Sequence, residues 1–307
     1  MMHKRFTLLL LLCLPVSAWA AEESSWLDSS KQWIKQLWRD DAQQWLGRVD
    51  SAVINHNYKG ILVLAQGSKI DTITVDHQLK NGVETLRLQT LSGSQRGLVK
   101  QGEKLQTQSA SSGNVTINGL TGQQTSFRQF ANALDNPWYK VKMGRKGRIA
   151  GRPVQQILIN ASDTWRYSYR LWLDQETALP LKVVTLDEKG GSVEQMVFTQ
   201  IEITPAGKTE NVTKAVPPAP VLESPYAEVK GYRLIAQKNY PASTHYLYSD
   251  GLARISLYVE TANVREKAQM QKDAVNGLML ADGKTRYVAL GKVPVMTLAA
   301  VLEATQP

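Results

Sequence analysis

Hydrophobic and polar residues alternate in short runs between Tyr58 and Ile203, and turn signals such as Asn81-Gly82 and Gly190-Gly191 separate the runs. Alternation with a period of two places successive side chains on opposite faces of a strand. Glycine-containing pairs of this kind close tight hairpins. The pattern predicts an antiparallel meander with one apolar and one polar face. One predicted apolar row comprises Trp165, Tyr167, Tyr169, Leu171 and Leu173, with Arg166, Ser168 and Arg170 on the polar face.

Two segments with helical spacing interrupt the alternation. The first lies near Asp40–Ile54, and the second lies near Gln124–Leu134 and ends at Asp135-Asn136-Pro137. Their apolar residues recur every three or four positions, so each helix has one apolar stripe. A curved sheet with both helices on one face buries these stripes and the apolar face of the sheet together.

A proline-rich stretch divides the chain. Lys214–Pro225 has four prolines in twelve residues, which favours an extended connector. We therefore expect a large domain over 21–213 and a small domain over 226–307. In the small domain the pattern predicts strands near Arg254–Glu260 and Arg286–Gly291 and a short helix after Pro294. A domain of about 80 residues buries little surface by itself, so we expect it to pack on the large domain.

The first twenty residues have the features of a cleavable secretory signal. Lys4 and Arg5 precede the apolar run Leu8–Leu14, and Ala18-Trp19-Ala20 is a small-x-small cleavage site. The apolar run is shorter than the roughly 18 residues needed to cross a bilayer. We expect cleavage after Ala20 and a periplasmic mature chain.

The segment after the predicted signal is rich in tryptophan. On a helix its apolar side chains form one stripe, composed of Trp26, Trp33, Ile34, Leu37 and Trp38. Such a stripe packs on a membrane, on a partner or on the sheet of the same chain, and the sequence leaves these three alternatives open.

Charge and cysteine usage narrow the function classes. The formal net charge is +9 with a pI near 9.5, which favours an anionic partner. Export separates the chain from DNA and ATP, so lipid head groups and acidic proteins remain as partners. The single cysteine, Cys13, lies in the predicted signal, so we expect the mature chain to have no disulfide and no thiolate metal site.

Catalytic motifs are absent from the sequence. The histidines His56, His77 and His245 lack metal-ligand spacing, and no Gly-x-Ser-x-Gly elbow occurs. Gly283-Lys284-Thr285 resembles the end of a phosphate loop, but Gly277 lies one position too far upstream. His77 shares the face of its apolar neighbours, which favours a core histidine over a catalytic base. We predict no enzymatic activity, no metal and no cofactor.

A basic stretch, Lys140–Arg152, contains six cationic residues and no acid. We predict an anion-binding site there, for phosphate or carboxylate groups. Its residues are Arg145, Lys146, Arg148 and Arg152. The alternative is a solvated hairpin whose charges serve solubility alone.

Several motifs, in their order along the chain, resemble the MucB/RseB family of exported regulators of an envelope-stress sigma factor. The resemblance runs from about Ala42 to the C-terminus, with one extra residue near Arg145 and with the tryptophan-rich segment as an extension. The matching residues are Ala42–Val49 with Tyr58–Gly60; His77 with Gly82, Glu84, Arg87, Leu88, Leu91, Gly93 and Arg96; Gly147–Arg152; Tyr167–Asp174 with Leu179–Leu181; Leu247–Leu252; and Val293-Pro294 with Thr297.

The resemblance implies an α+β protein that is not an enzyme. The large domain is expected to be an unclosed antiparallel β-barrel with helices on its concave side, similar to lipoprotein carriers, followed by a small α/β C-terminal domain. Family members bind the periplasmic part of a transmembrane anti-sigma factor of the RseA/MucA kind and shield it from proteolysis. Lipids such as lipopolysaccharide are thought to release them.

Two site predictions follow from this resemblance and from the residue patterns. The partner-binding residues are predicted to be Tyr248, Ser249, Asp250, Gly251, Leu252 and Arg254. The lipid-binding residues are predicted to be Leu86, Leu88, Trp165, Tyr167, Tyr169 and Leu171. The alternatives are a turn required only by geometry and an aromatic row that only packs the core. A periplasmic lipid or lipoprotein carrier is the alternative function, and the sequence leaves open whether the chain forms a homodimer.

Overall fold

The computed structural model describes residues 41–92, 96–101, 104–109, 127–206, 221–272 and 274–305. In these residues the strands form two antiparallel sheets. The predicted signal, the tryptophan-rich segment and residues 214–220 of the predicted connector lie outside the described residues. No helix of the described part is long and apolar enough to cross a membrane.

The large sheet has ten strands in the order β5-β4-β3-β2-β1-β10-β9-β8-β7-β6. Its edge strands, β5 and β6, are not paired with each other, so the sheet remains unclosed, as predicted. The strands are β1 His56–Gln66, β2 Lys69–Lys80, β3 Val83–Thr90, β4 Arg96–Gln101, β5 Lys104–Ser109, β6 Tyr139–Ile149, β7 Arg152–Ala161, β8 Ser168–Asp174, β9 Pro180–Leu186 and β10 Ser192–Pro205.

Two helical segments cover the apolar face of this sheet. Helix α1 spans residues 41–55, and a 3-10 helix spans Phe127–Ala133. Leu46 of α1 and Phe130 of the 3-10 helix are buried in one core with sheet residues such as Leu171. Arg128 of the 3-10 helix is ion-paired with Asp50 of α1, so the two segments also hold each other. The prediction of helices on one face is confirmed, although the described part of the second helix has 3-10 geometry, which is common in short helical pieces.

The alternation predicted from Trp165 begins later than expected. Strand β8 starts at Ser168, and its inward side chains are Tyr169, Leu171 and Leu173. Trp165 and Arg166 lie in a bend before the strand, and Arg166 is buried although its position predicts a solvent-facing residue. The prediction was wrong at these two positions. The apolar and polar residues still alternate there in the sequence, but the backbone bends and does not have the strand geometry that would place them on opposite faces.

The small sheet has six strands in the order β11-β12-β13-β16-β15-β14. Helix α2, Val295–Glu303, begins directly after Pro294, as predicted, and it packs its apolar side on one face of the sheet. The strands are β11 Arg233–Asn239, β12 Ser243–Ser249, β13 Arg254–Thr261, β14 Arg265–Lys272, β15 Val275–Asp282 and β16 Thr285–Gly291.

Candidate functional site

The turn between β12 and β13 is stabilised by its own side chains. Asp250 Oδ1 accepts hydrogen bonds from the backbone N–H groups of Leu252 at 2.9 Å and Ala253 at 2.7 Å. Ser249 Oγ donates to the Ala253 carbonyl at 2.9 Å. Gly251 adopts a φ of +102°, which L side chains rarely adopt. The sequence Ser249–Ala253 therefore specifies one tight turn, which projects from the end of the small sheet.

This turn contacts the large domain through a buried ion pair. Asp250 Oδ2 accepts from Arg166 Nη1 at 3.0 Å and from the Tyr139 hydroxyl at 2.9 Å. Both charged side chains are fully buried. Because burial raises the pKa of the Tyr139 phenol well above its usual value, this group stays protonated and donates. Burial also raises the pKa of the Asp250 carboxyl, while the backbone donors and Arg166 oppose the rise.

Aromatic rings enclose the Arg166 guanidinium. Its central carbon lies 4.7 Å from the ring centre of Trp138 and 5.3 Å from that of Tyr232. Its Nε donates to Asp163 at 3.0 Å, and its Nη2 donates to the Lys230 carbonyl. A planar cation suits stacking and in-plane hydrogen bonds at the same time, which lysine cannot supply.

Further polar contacts extend the domain interface. Two asparagines of the large domain donate to backbone carbonyls of the turn: Asn132 to Gly251 at 3.0 Å and Asn136 to Asp250. On the other side, Asn276 donates to the Tyr167 hydroxyl at 3.0 Å. The Trp165 carbonyl accepts two more hydrogen bonds, from the hydroxyls of Thr297 and Tyr232. The Lys292 ammonium donates to Glu194.

The predicted partner-binding residues fall into two groups. Leu252 is buried in the core of the large domain, while Tyr248 is buried in the small domain, where its hydroxyl contacts Ser224 Oγ at 3.0 Å. Tyr248, Asp250 and Leu252 therefore make buried contacts within the chain. Gly251 and Arg254 are exposed, and Ser249 is half-buried. Partner contact stays a prediction, and it concerns the accessible residues Ser249, Gly251 and Arg254.

The predicted lipid-binding residues also separate in the structure. Leu86, Leu88, Tyr169 and Leu171 lie in the large-domain core beneath α1 and the 3-10 helix. Trp165 and Tyr167 instead bond to the small domain at the interface. In this arrangement the concave side is filled by the chain itself, so lipid binding stays a prediction that requires displacement of the covering helices.

The predicted anion-binding residues lie on the β6–β7 hairpin. Arg145, Lys146 and Arg148 are exposed, and the one hydrogen bond of Arg148 that the structure gives goes to the Gly151 carbonyl at 2.7 Å. Arg152 is ion-paired with Asp174 at 2.6 Å and with Glu176 at 2.9 Å. Three of the four cations are thus available to an external anion. The pairing of Arg152 escaped prediction because its partners are 22 and 24 residues away in the chain.

His77 and the segment Gly283-Lys284-Thr285 have structural roles in the fold. His77 is buried, its Nδ1 lies 3.1 Å from the His56 carbonyl, and its Nε2 lies 3.2 Å from Glu84 Oε1. Gly283-Lys284-Thr285 is a hairpin turn in which Asp282 Oδ1 accepts from the N–H groups of Lys284 and Thr285. Over the described ranges, no group of three His, Cys, Asp or Glu residues could hold a metal ion.

Sequence reasoning missed several interface residues, among them Arg166, Asn132 and Asn136. Arg166 lay on the predicted polar face, and Asn136 was considered only as part of a helix stop. The sequence signal that could have indicated this interface was Asp250, because turn geometry alone does not explain an acidic residue in this motif.

Comparisons with known proteins agree with this architecture. The family model of the MucB/RseB N-terminal domain matches residues 41–219, and that of the C-terminal domain matches residues 226–306. The chain belongs to the MucB/RseB family. The N-terminal match contains the large sheet, and the C-terminal match contains the small sheet with the Ser249–Ala253 turn.

Relatives in this family are named as sigma-factor regulators. The sigma factor AlgU regulatory protein MucB of Pseudomonas aeruginosa is 25% identical over 294 residues, covering 87% of this chain and 91% of that protein. The sigma-E factor regulatory protein RseB of Salmonella typhimurium is 27% identical over 252 residues, covering 72% and 76%. The Pseudomonas aeruginosa MucA/MucB complex structure has a TM-score of 0.67 at 25% identity, covering 85% of this chain and 96% of that chain.

Proposed function

We propose that this chain is a periplasmic negative regulator of an envelope-stress response. In this proposal it binds the periplasmic part of a transmembrane anti-sigma factor and shields that part from proteolysis. Lipid or lipopolysaccharide binding then triggers release. Support comes from the family and from the regulatory names of its relatives. Further support comes from structures of MucB in complex with MucA, one of which contains the periplasmic part of MucA.

The observation that carries the proposal is the interface centred on Arg166 and Asp250. It joins the two domains through fully buried charges, which supports a single surface that spans both domains. Breaking such a pair is costly, because a buried charge then loses its fully buried counter-charge. A partner that contacts both domains then meets a surface organised before binding, which lowers the entropic cost of association.

The same interface supports a route for the lipid signal. Asn132 lies in the 3-10 helix that covers the concave side of the large sheet, and it bonds to the Gly251 carbonyl at 3.0 Å. Lipid chains that enter between sheet and helix must displace this helix. The displacement withdraws a donor from the turn of the small domain, and the partner-binding surface changes as a result. The basic β6–β7 hairpin supplies cations for lipid phosphates.

A protection assay tests the proposal. The mature chain is added to the periplasmic segment of the cognate anti-sigma factor, and cleavage by its membrane protease is followed with time. We expect slow cleavage in the presence of the chain and faster cleavage after lipopolysaccharide is added. Cleavage at the same rate with and without the chain would contradict the proposal. Protection that lipopolysaccharide leaves unchanged would remove the release step alone.

The periplasmic location has a separate test. N-terminal sequencing of the chain purified from the periplasm is expected to begin at Ala21. Recovery of the uncut chain in the cytoplasm would contradict both the predicted signal and the proposed compartment.

A further inference from the structure

Strand β14, Arg265–Lys272, forms an open edge of the small sheet. It pairs with β15 along its whole length without a register shift, and within the described residues no strand pairs with its other side. Every residue of β14 is exposed. An edge of this kind presents backbone N–H and C=O groups that a further strand can pair with. Proline and β-bulges, two common protections of such edges, are absent from β14.

The two faces of β14 differ in chemistry. Arg265 and Lys267 lie on the face that α2 covers elsewhere in the sheet, whereas Ala268 and Met270 lie on the opposite face. This assignment follows from the pairing of Lys267 with Leu280, a residue packed against the α2 core. On that opposite face Glu266 and Lys272 flank Ala268 and Met270. A strand added beside β14 therefore meets positive charge on one face and, at the centre of the other, apolar side chains.

The apolar side chains of β14 continue a band across the face opposite α2. None of the band residues belongs to the two buried cores or to the residues packed against them. Met270 is 54% exposed. A β-carbon on Gly277 would lie 2.5 Å from Met270 Cγ and 2.7 Å from Leu290 Cδ2, so these side chains meet above this glycine. The band comprises Met270, Met279, Leu290, Val288, Tyr258 and Leu247.

We propose that β14 binds an extended segment of a partner protein as an added antiparallel or parallel strand. The segment alternates apolar residues, which extend the band, with acidic residues, which face Arg265 and Lys267. This inference rests on the proposed function and assigns the segment to the periplasmic part of the anti-sigma factor. Main-chain pairing supplies affinity in this binding mode, and the alternating side chains supply specificity.

Charge favours such a partner over a second copy of the chain. Antiparallel pairing of β14 with itself keeps the two faces of the sheet separate, so the face that carries Arg265 and Lys267 gathers these cations from both copies, and β14 contributes no acid to that face. Like charges that neighbour each other across a strand pair destabilise it. An acidic segment turns the same positions into attractive pairs.

Binding of two variants tests the inference, with the recombinant periplasmic segment of the cognate anti-sigma factor as the probe. Lys267→Glu reverses the charge, and Met270→Lys interrupts the apolar band. Both side chains are exposed, so the fold tolerates the changes. We expect each variant to weaken binding by about tenfold in calorimetry. The matched controls Lys189→Glu and Ile70→Lys, at exposed positions of the large domain, are expected to stay within about twofold of the unmodified chain.

Hydrogen exchange provides a readout that charge alone does not change. Amides of residues 265–272 are expected to exchange more slowly when the probe is bound, because half of them otherwise face solvent. If the unmodified chain binds the probe but both variants bind equally well and the amides gain no protection, the β14 inference is wrong and the proposed function stands. If the unmodified chain does not bind the probe, the β14 inference and the proposed function are both wrong. Protection that grows with the concentration of the chain alone would assign the edge to a second copy and overturn the partner segment.

Discussion

At the residue scale, Asp250 joins turn geometry to domain contact. Its Oδ1 organises the turn through two backbone N–H groups, while its Oδ2 accepts from Arg166 and Tyr139 across the interface. One carboxylate therefore links local conformation to long-range packing. Such a residue is sensitive to substitution, because no other side chain has the same length and two acceptor atoms.

Asp250→Ala is expected to destabilise the chain by about 3 to 5 kcal/mol, because Arg166 loses its fully buried counter-charge and keeps the partly exposed Asp163. Denaturant unfolding measures the loss. Glu260→Ala serves as the control, since its pair with Arg286 is partly exposed, and we expect a loss under about 1 kcal/mol. Equal losses in the two variants would contradict the structural role assigned to the buried pair.

Glu84 predicts a specific dependence of stability on pH. The hydrogen bond from His77 lowers the pKa of the Glu84 carboxyl from 4.5 to about 2. A lowered pKa means that the stabilisation is present above pH 4.5 and is lost as the pH falls towards 2. We expect about 1 kcal/mol from this partly exposed group. Chemical denaturation of Glu84→Gln between pH 6 and 2 is expected to show a correspondingly smaller acid loss, and an unchanged pH profile would contradict it.

At the element scale, periodicity predicts strands well and their ends poorly. The alternation of Tyr169, Leu171 and Leu173 is set locally, so it was readable from the sequence. Trp165 and Arg166 continue the same alternation but precede the strand, and their surroundings come from the small domain. Arg166 and Asp250 are 84 positions apart, so no local pattern announces their pairing. Turn chemistry explained Gly251, but not why Asp250 is buried.

Gly60 permits the close approach of β1 and β10. A β-carbon at this position would lie 2.1 Å from the Gln200 carbonyl oxygen. Since β1 and β10 are central neighbours in the large sheet, we expect Gly60→Ala to cost about 3 kcal/mol in thermal unfolding. Gly67→Ala is the control: it has open space around it and a φ of +58°, so only backbone strain of about 1 kcal/mol applies. A smaller cost at Gly60 than at Gly67 would contradict this account.

At the scale of the whole molecule, the net charge of +9 is not uniformly available to partners. Arg166 is buried, and Arg152 is held by two acids, whereas Arg145, Lys146 and Arg148 project from one hairpin. The composition predicts attraction to anions, and only the fold identifies which cations remain exposed on one surface.

Replacing Arg145, Lys146 and Arg148 by Gln is expected to weaken binding to lipopolysaccharide and to reduce its dependence on salt. Sedimentation with lipopolysaccharide micelles at several salt concentrations measures both. A control with Gln at Lys80, Lys189 and Lys238, which are exposed elsewhere, removes the same charge. Equal weakening by the two triple variants would show that net charge, not the hairpin, governs the attraction.

The irregularity in β6 has a consequence for how this chain tolerates changes in length. Met143 pairs with Ile157 and Lys146 with Gln155, so two residues, Gly144 and Arg145, stand opposite one. The surplus residue is absorbed there, and Tyr139 keeps the face from which it reaches Asp250. Deletion of one residue within the bulge leaves the faces before and after it in place. Deletion of Val141 moves the side chains that precede it, including Tyr139, to the opposite face of the sheet. Insertions and deletions in this edge strand are therefore tolerated at one point and damaging a few residues away.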